Sequence, residues 1–388
     1  MSASPRPVNS ERHSDLKRHT LSVVCLAVLA CLLCFGGRAQ AAPVTVYALP
    51  AFMTGGDVSL LGREEQLGAV YKDGGRPQAA LSILKARGCN TLRLRLWVSP
   101  TGKDEAVNDL PYTVALGRRI KQGGFKLLLD IHYSDFWADP GHQTKPAAWK
   151  DLPPDHLAKT VESYSRDVIV AMRRGGAMPD MVEVGNEVTN GMLWPDGNVE
   201  RPDGWRHFTA LFAAGVRGIK AGAAPLPAPR IMLHISGGAS AGLTGWFFGN
   251  VHTVAPALDF DVIGLSYYPE AGETLAELAA SMVALARTYH KPIVIAETGF
   301  PADGTPGPQE TVHARYGRTP EGQARFLTDL LSTVKAVPGG WGRGVLYWEI
   351  DWIYIKGLPQ YGCNPLFDAD FNARPAVAAL GAGARSRR

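Results

Sequence analysis

The sequence predicts a single-domain α/β fold, a (β/α)8 TIM barrel with long loops on its C-terminal face. Eight short β-rich runs recur along the chain, roughly at 51–58, 91–98, 125–133, 181–187, 230–236, 261–268, 291–298 and 344–350. Amphipathic stretches lie between them, and strand–helix alternation of this kind requires a parallel sheet with helical crossovers. An open doubly wound sheet is the alternative. Against it, no Gly-rich phosphate fingerprint follows an early strand, and no Gly-x-x-x-x-Gly-Lys occurs.

Residues 1–41 stand apart from the fold. Arg12, Lys17 and Arg18 precede the uncharged apolar run Leu21–Phe35, and Ala39-Gln40-Ala41 follows. A basic segment, an apolar stretch and a small-x-small site are the parts of a secretory signal, so export to the periplasm or beyond is expected, with 42–388 as one catalytic domain. A retained membrane anchor is the competing reading of the same run. Five of the 40 Lys/Arg fall in this segment against two of the 36 Asp/Glu, which leaves the remainder nearly neutral. With no basic run, nucleic acid is excluded as the expected partner. Three of the five cysteines (Cys25, Cys31, Cys34) also lie there. Cys89 and Cys363 are too few and too far apart for a disulfide framework; Cys89, beside a strand, is expected to be a buried small hydrophobe.

In the second strand run, Thr91-Leu92-Arg93-Leu94-Arg95-Leu96 alternates apolar and charged residues. Leu157, Val161, Tyr164, Val168 and Met172 step by three and four, as do Leu275, Leu278, Met282, Leu285 and Tyr289, and Leu327, Leu330, Leu331 and Val334. The loops after the third, fourth and seventh strands are long: 132–155, 188–205 and 298–319. In a barrel these rise from the face where substrates bind. They carry Trp137, Trp149 and Trp194, and are expected to form cleft walls.

Most acidic residues fall in helix patterns or loops. Glu187 and Glu297 instead close apolar strand runs, where a carboxylate is costly unless paired or functional. Strand ends converge at a barrel mouth, so two glutamates distant in sequence can face each other. Glycoside hydrolysis uses such a pair, with carboxyls about 5–5.5 Å apart for retention and roughly 6.5–9.5 Å for inversion. The competing reading is a barrel-mouth salt bridge to Arg93 or Arg95. Asp130, Glu183 and Glu349 are rival carboxylates. Strict alternation puts Glu183 on the face of Glu187 and turns Asn186 away, so Asn186 reaches the cleft only if the strand end is irregular. His132, His234, Tyr267, Tyr268 and Trp348 also lie near strand ends. Such a ring suits a sugar, with its stackable faces and many hydroxyls. The histidines come singly, so a zinc site is not expected.

At Asp130-Ile131-His132-Tyr133-Ser134-Asp135-Phe136-Trp137-Ala138-Asp139-Pro140-Gly141-His142-Gln143 the sequence resembles the endo-β-1,4-galactanases of glycoside hydrolase family 53. The likeness continues through Val184-Gly185-Asn186-Glu187, Gly191-Met192-Leu193-Trp194-Pro195, Ser266-Tyr267-Tyr268-Pro269, Glu297-Thr298-Gly299 and Tyr347-Trp348-Glu349, in the family's order. The resemblance implies a retaining glycosidase acting on galactan or arabinogalactan side chains of pectin, with Glu187 as acid/base and Glu297 as nucleophile. It implies that Asn186 bonds the sugar 2-hydroxyl, that Arg93 sits beside the nucleophile, and that Tyr267 or Tyr268 orients it. It further gives Trp137, Asp139 and His142 to the negative subsites and Trp352 to a stacking platform. His132, His234 and Trp348 complete the expected substrate-binding set. No cofactor is required. Some bacterial relatives bind calcium between late loops, which makes Asp303, His313 and Asn364 the calcium candidates. Glu270, Ala271, Ile235 and Ser236 depart from the family's usual pattern. A relative of the same clan with another polysaccharide, or a non-catalytic carbohydrate-binding barrel, is the alternative; a monomer is expected.

Overall fold

A computed structural model describes Met1 and residues 48–269, 272–303, 315–359 and 364–384. The chain divides after Thr45, and the compact unit Val46–Arg388 is the one described here. The leader reading of 1–41 falls outside the described residues, as do Cys363, His313, Glu270 and Ala271.

Eight parallel strands close a barrel in sequential order: β1 (Met53–Asp57), β2 (Thr91–Leu96), β3 (Lys126–Ile131), β4 (Met181–Val184), β5 (Arg230–Ile235), β6 (Val262–Tyr267), β7 (Ile293–Thr298) and β8 (Gly342–Tyr347). β1 closes the ring, pairing with β8 (Met53 opposite Gly344) and with β2 (Gly55 opposite Thr91). Every strand run in the sequence is therefore a barrel strand. The helical patterns become Pro154–Arg174, Leu275–Tyr289 and Pro320–Lys335.

Two layers form around the sheet. On β2 the leucines Leu92, Leu94 and Leu96 join the outer core under the helices, while Arg93 and Arg95 point inward. The lower barrel interior is apolar, filled by Met53, Leu128, Met181, Met232, Val262, Val294, Ala296 and Leu346. Two residues further along β3, β4 and β5 the inward positions become Asp130, Glu183 and His234, all fully buried. Period-two alternation thus stacks a charged layer directly on an apolar plug, at the C-terminal mouth. Cys89 is a buried free thiol, as its position beside a strand suggested.

Candidate active site

Two local irregularities bring the glutamates into the mouth. β4 ends at Val184, earlier than its apolar run, and the backbone turns left-handed at Gly185 (φ 80°) and Glu187 (φ 45°). A non-glycine residue there is strained and is found mainly where the site demands it. The turn lets Asn186 and Glu187 both serve the mouth, the irregular strand end that Asn186 required. On β7, Val294 and Ala296 already face inward, so strict alternation would turn Glu297 out. The register with β6 slips instead: Leu265 faces Ile295, but Ser266 faces Glu297. This bulge re-aims Glu297 inward.

Arg93 is the hub of the charged layer. Its Nη1 lies 2.9 Å from Glu297 Oε1 and 3.4 Å from Asp57 Oδ2. Its Nη2 donates to Asp130 Oδ2 and to Asn186 Oδ1, both at 2.8 Å, and its Nε donates to Glu183 Oε2 at 3.1 Å. The salt-bridge reading of Glu297 is therefore correct in its contact. The bridge also leaves Glu297 aimed, because Tyr268 donates its hydroxyl to Oε2 at 3.0 Å. Asn186 sends its Nδ2 to the Ala138 carbonyl at 2.8 Å, and an amide nitrogen has a second hydrogen to offer.

Glu187 is half-buried. Burial, and then the nearby Glu297 charge, push its pKa up to about 7, so it holds a proton in weakly acidic solution. Glu183 behaves in the opposite way. Burial alone would raise it, but Arg93 and His234 outweigh that and bring it down to about 2. The rival carboxylates are thereby given structural work: Asp130 and Glu183 hold Arg93, and Glu349 pairs with Arg95.

Of the three histidines expected to bind substrate, His132 and His234 are buried, whereas His142 is exposed. His132 Nε2 meets Asp130 Oδ2 at 2.9 Å, and its Nδ1 accepts the Ala138 N–H at 3.1 Å. Burial, with Arg93 and Arg95 nearby, pulls it down to about 3, so it is a neutral ring that ties β3 to its loop. His234 Nδ1 pairs with Glu183, and its Nε2 lies 2.9 Å from Ser266 Oγ. The structure also separates the two tyrosines. Tyr267 is fully buried on the helix side, stacked near Phe326, with its hydroxyl on the Glu273 carbonyl at 3.0 Å. Tyr268 alone of the pair reaches Glu297.

Beside the mouth runs a cleft of about 1170 Å3, lined by Trp137, Asp139, His142, Trp194 and Trp348 among others. Its lining comes from the loops after β3 and β4, with Trp348 just past β8, and does not include the two glutamates, so it is an extension of the mouth along one rim. Asp139 and His142 face each other at 2.9 Å across this wall. Trp352, expected as a stacking platform, is not part of the cleft lining. It is fully buried behind Trp137, their rings stacked at 6.4 Å and 10°. Trp149, expected on the wall, is buried against Tyr164. Asp303 lies 3.4 Å from Arg374, and the calcium candidate His313 is outside the described residues. Among the described residues no group of three or more His, Cys, Asp or Glu is arranged to hold a metal ion. Sequence reasoning missed Ser266 and Asp57, although Ser266 stands inside the Ser-Tyr-Tyr-Pro stretch that was singled out.

A closed parallel barrel whose mouth presents an aimed carboxylate, a second carboxyl that keeps its proton and an aromatic-lined cleft defines a glycosidase of the (β/α)8 class. The glycosyl hydrolase family 53 model matches residues 53–380, and the chain belongs to that family. A probable arabinogalactan endo-beta-1,4-galactanase A of Aspergillus terreus is 37% identical over 339 residues, 84% of this chain and 94% of that protein. Among solved structures, a fungal beta-1,4-galactanase superimposes with a TM-score of 0.77 at 33% identity, covering 84% of this chain and 98% of that one. The GH53 catalytic domain of Ignisphaera aggregans gives 0.78 at 31% identity, covering 87% and 98%.

Proposed function

We propose that this chain is an exported, endo-acting β-1,4-galactanase that cleaves galactan or arabinogalactan side chains of pectin with retention of configuration. The supporting observation is the asymmetry of the two glutamates. Glu297 is gripped by Arg93 and Tyr268, whereas Glu187 is pushed up to about 7 by burial and by Glu297. The names of the relatives supply the substrate class.

In this reading Glu297 attacks the anomeric carbon while Glu187 protonates the departing oxygen. The C–O bond to the leaving galactose breaks and a glycosyl ester on Glu297 forms. Glu187, now a carboxylate, takes a proton from water, whose oxygen attacks the same carbon and releases Glu297. Asn186 offers its remaining amide hydrogen to the 2-hydroxyl, and the cleft with Trp137, Asp139, His142 and Trp348 holds the sugars beyond the scissile bond. Residues 1–41 serve as the export signal and 42–388 as the catalytic domain, working as a monomer. No helix among the described residues is long and apolar enough to cross a membrane.

The test is incubation of purified 42–388 with linear β-1,4-galactan, following products and their initial anomeric form. Short β-configured oligosaccharides from wild type, and none from a folded Glu297→Gln variant, are expected. Normal turnover by that variant, or initial α-products, would overturn the roles. The kcat/KM profile should fall as pH rises through about 7, because the acid must carry its proton.

A further inference from the structure

The cleft wall rests on a buried cation that the catalytic scheme leaves unused. Arg95 of β2 is fully buried, and its Cζ lies 4.4 Å from the ring centroid of Trp137 and 5.1 Å from that of Trp97. Its Nη1 pairs with Glu349, just past β8, and lies 3.7 Å from Asp57 Oδ1. Among the described residues its Nε and Nη2 find no hydrogen-bond acceptor. The indole rings therefore supply negative density that a buried guanidinium with so few oxygens otherwise lacks.

We propose that Arg95 is a positioning residue for substrate binding: clamped by Glu349 and Asp57, its guanidinium braces the Trp137 ring at the tilt on which a galactose unit stacks.

The argument is one of what each contact fixes. The loop after β3 is pinned at Ala138, whose N–H goes to His132 Nδ1 at 3.1 Å and whose carbonyl accepts Asn186 Nδ2 at 2.8 Å. Those bonds set where the Trp137 side chain starts, not where its ring points, because both side-chain torsions are still open. A planar guanidinium lying over the ring sets its height and its tilt together. Arg95 itself has little room to yield. Leu94 and Leu96 on either side are buried in the outer core, and its own N–H donates to Ser59 Oγ at 2.9 Å. Trp137 lines the cleft, so the position of its ring sets the position of a sugar laid on it.

A second route leads from Arg95 through Asp57, whose Oδ2 lies 3.4 Å from Arg93 Nη1, and on to Glu297. The two routes predict different kinetics: through Trp137 the arginine acts on binding, through Asp57 on the nucleophile. Arg93 is also held by Asp130, Glu183 and Glu297, so its grip does not depend on Asp57, and the Trp137 route is the one proposed.

The inference rests on the cleft being a galactan site. For Arg95→Met, KM on galactan should rise about tenfold with kcat within about twofold of wild type. Arg95→Lys keeps a charge for Glu349 but not the planar face, and should melt like wild type without regaining its KM. Where Arg95→Met fails to fold, Arg95→Met/Glu349→Gln leaves Glu349 no unpaired charge and takes its place. In a Trp137→Ala background the same substitution should raise KM no further, since the ring it braces is gone. An equal KM rise in both backgrounds, or a fall in kcat with KM unmoved, would overturn the proposal. A wild type that neither binds nor cleaves galactan removes the functional reading alone, and the tryptophan bands of near-ultraviolet circular dichroism then decide. They should change in Arg95→Lys and show no such change in a Trp137→Phe background; an Arg95→Lys spectrum identical to wild type overturns the bracing role.

Discussion

Tyr268 donates its hydroxyl to Glu297 at 3.0 Å, while its neighbour Tyr267 turns to the opposite side of β6 and bonds the Glu273 carbonyl. Adjacent residues of one motif thus have unrelated partners, one the proposed nucleophile and one the backbone under the helices. Burial, and then Glu297 and Glu187, push the Tyr268 hydroxyl well above its ordinary pKa, so it remains a donor throughout the working range. Together with Arg93 it holds both oxygens of Glu297, the proposed nucleophile.

That division is directly testable. A hydrogen bond to a charged group contributes about 1.5–3 kcal/mol, so Tyr268→Phe should lower kcat by about 10–100-fold with KM little changed. Tyr267→Phe should leave kcat unchanged and cost about 1 kcal/mol of stability. Steady-state kinetics and urea melts on both variants decide it. Equal kinetic losses in the two would contradict the facing described for β6.

The two late tryptophans make a second contrast. Trp348 is half-buried and lines the cleft, whereas Trp352 is fully buried beneath it, with ring centroids 6.4 Å apart. Trp348→Ala should weaken galactan binding by ~1–2 kcal/mol, seen as a rise in KM with the melting temperature nearly unchanged. Trp352→Ala opens a core cavity and should cost about 3–5 kcal/mol of stability. A Trp352→Ala protein that melts like wild type but binds galactan poorly would restore the platform role.

The fold was legible because each barrel strand is an apolar run too short for a helix, separated by stretches with helical periodicity. The two glutamates were legible because carboxylates at the ends of such runs need a reason to be there. Facing was not legible. The bulge opposite Ser266 and the left-handed turn at Glu187 each reset the two-residue alternation, and a single-residue offset turns a side chain to the other face. Tyr267 and Tyr268 lie at the end of β6, whose alternation is unbroken, and only the inward facing of Val262 at its start tells them apart; Trp348 and Trp352 could not be separated, since β8 ends at Tyr347 and both lie past it. His132 and His234 are at the predicted strand ends, but nothing in a sequence says whether a ring nitrogen meets a carboxylate or a sugar. Here both rings meet carboxylates.

The far side of the charged layer supplies a prediction about stability. Glu64 is fully buried, accepting from the Ile353 N–H at 3.0 Å and from the Tyr71 hydroxyl. Burial is the main cause that raises its pKa from 4.5 to about 8, with Glu349 and Glu65 adding to it against the Tyr71 and Ile353 bonds. The folded protein therefore keeps this proton up to about pH 8, while the unfolded chain releases it near 4.5. Because the unfolded state binds fewer protons in that window, the contribution is complete below 4.5 and is lost as pH rises towards 8, at a slope of at most about 1.4 kcal/mol per pH unit. Glu64→Gln cannot ionise, yet it can keep the contacts: its Oε1 accepts from Ile353, its Nε2 donates to the Tyr71 oxygen, and the Tyr71 hydroxyl turns to the Asp351 carbonyl, 3.3 Å away. Urea melts of wild type and variant at pH 5 and pH 8 read the difference. The wild type should lose more stability between the two pH values than Glu64→Gln does. Parallel losses would mean that Glu64 is already ionised in the folded protein at pH 5.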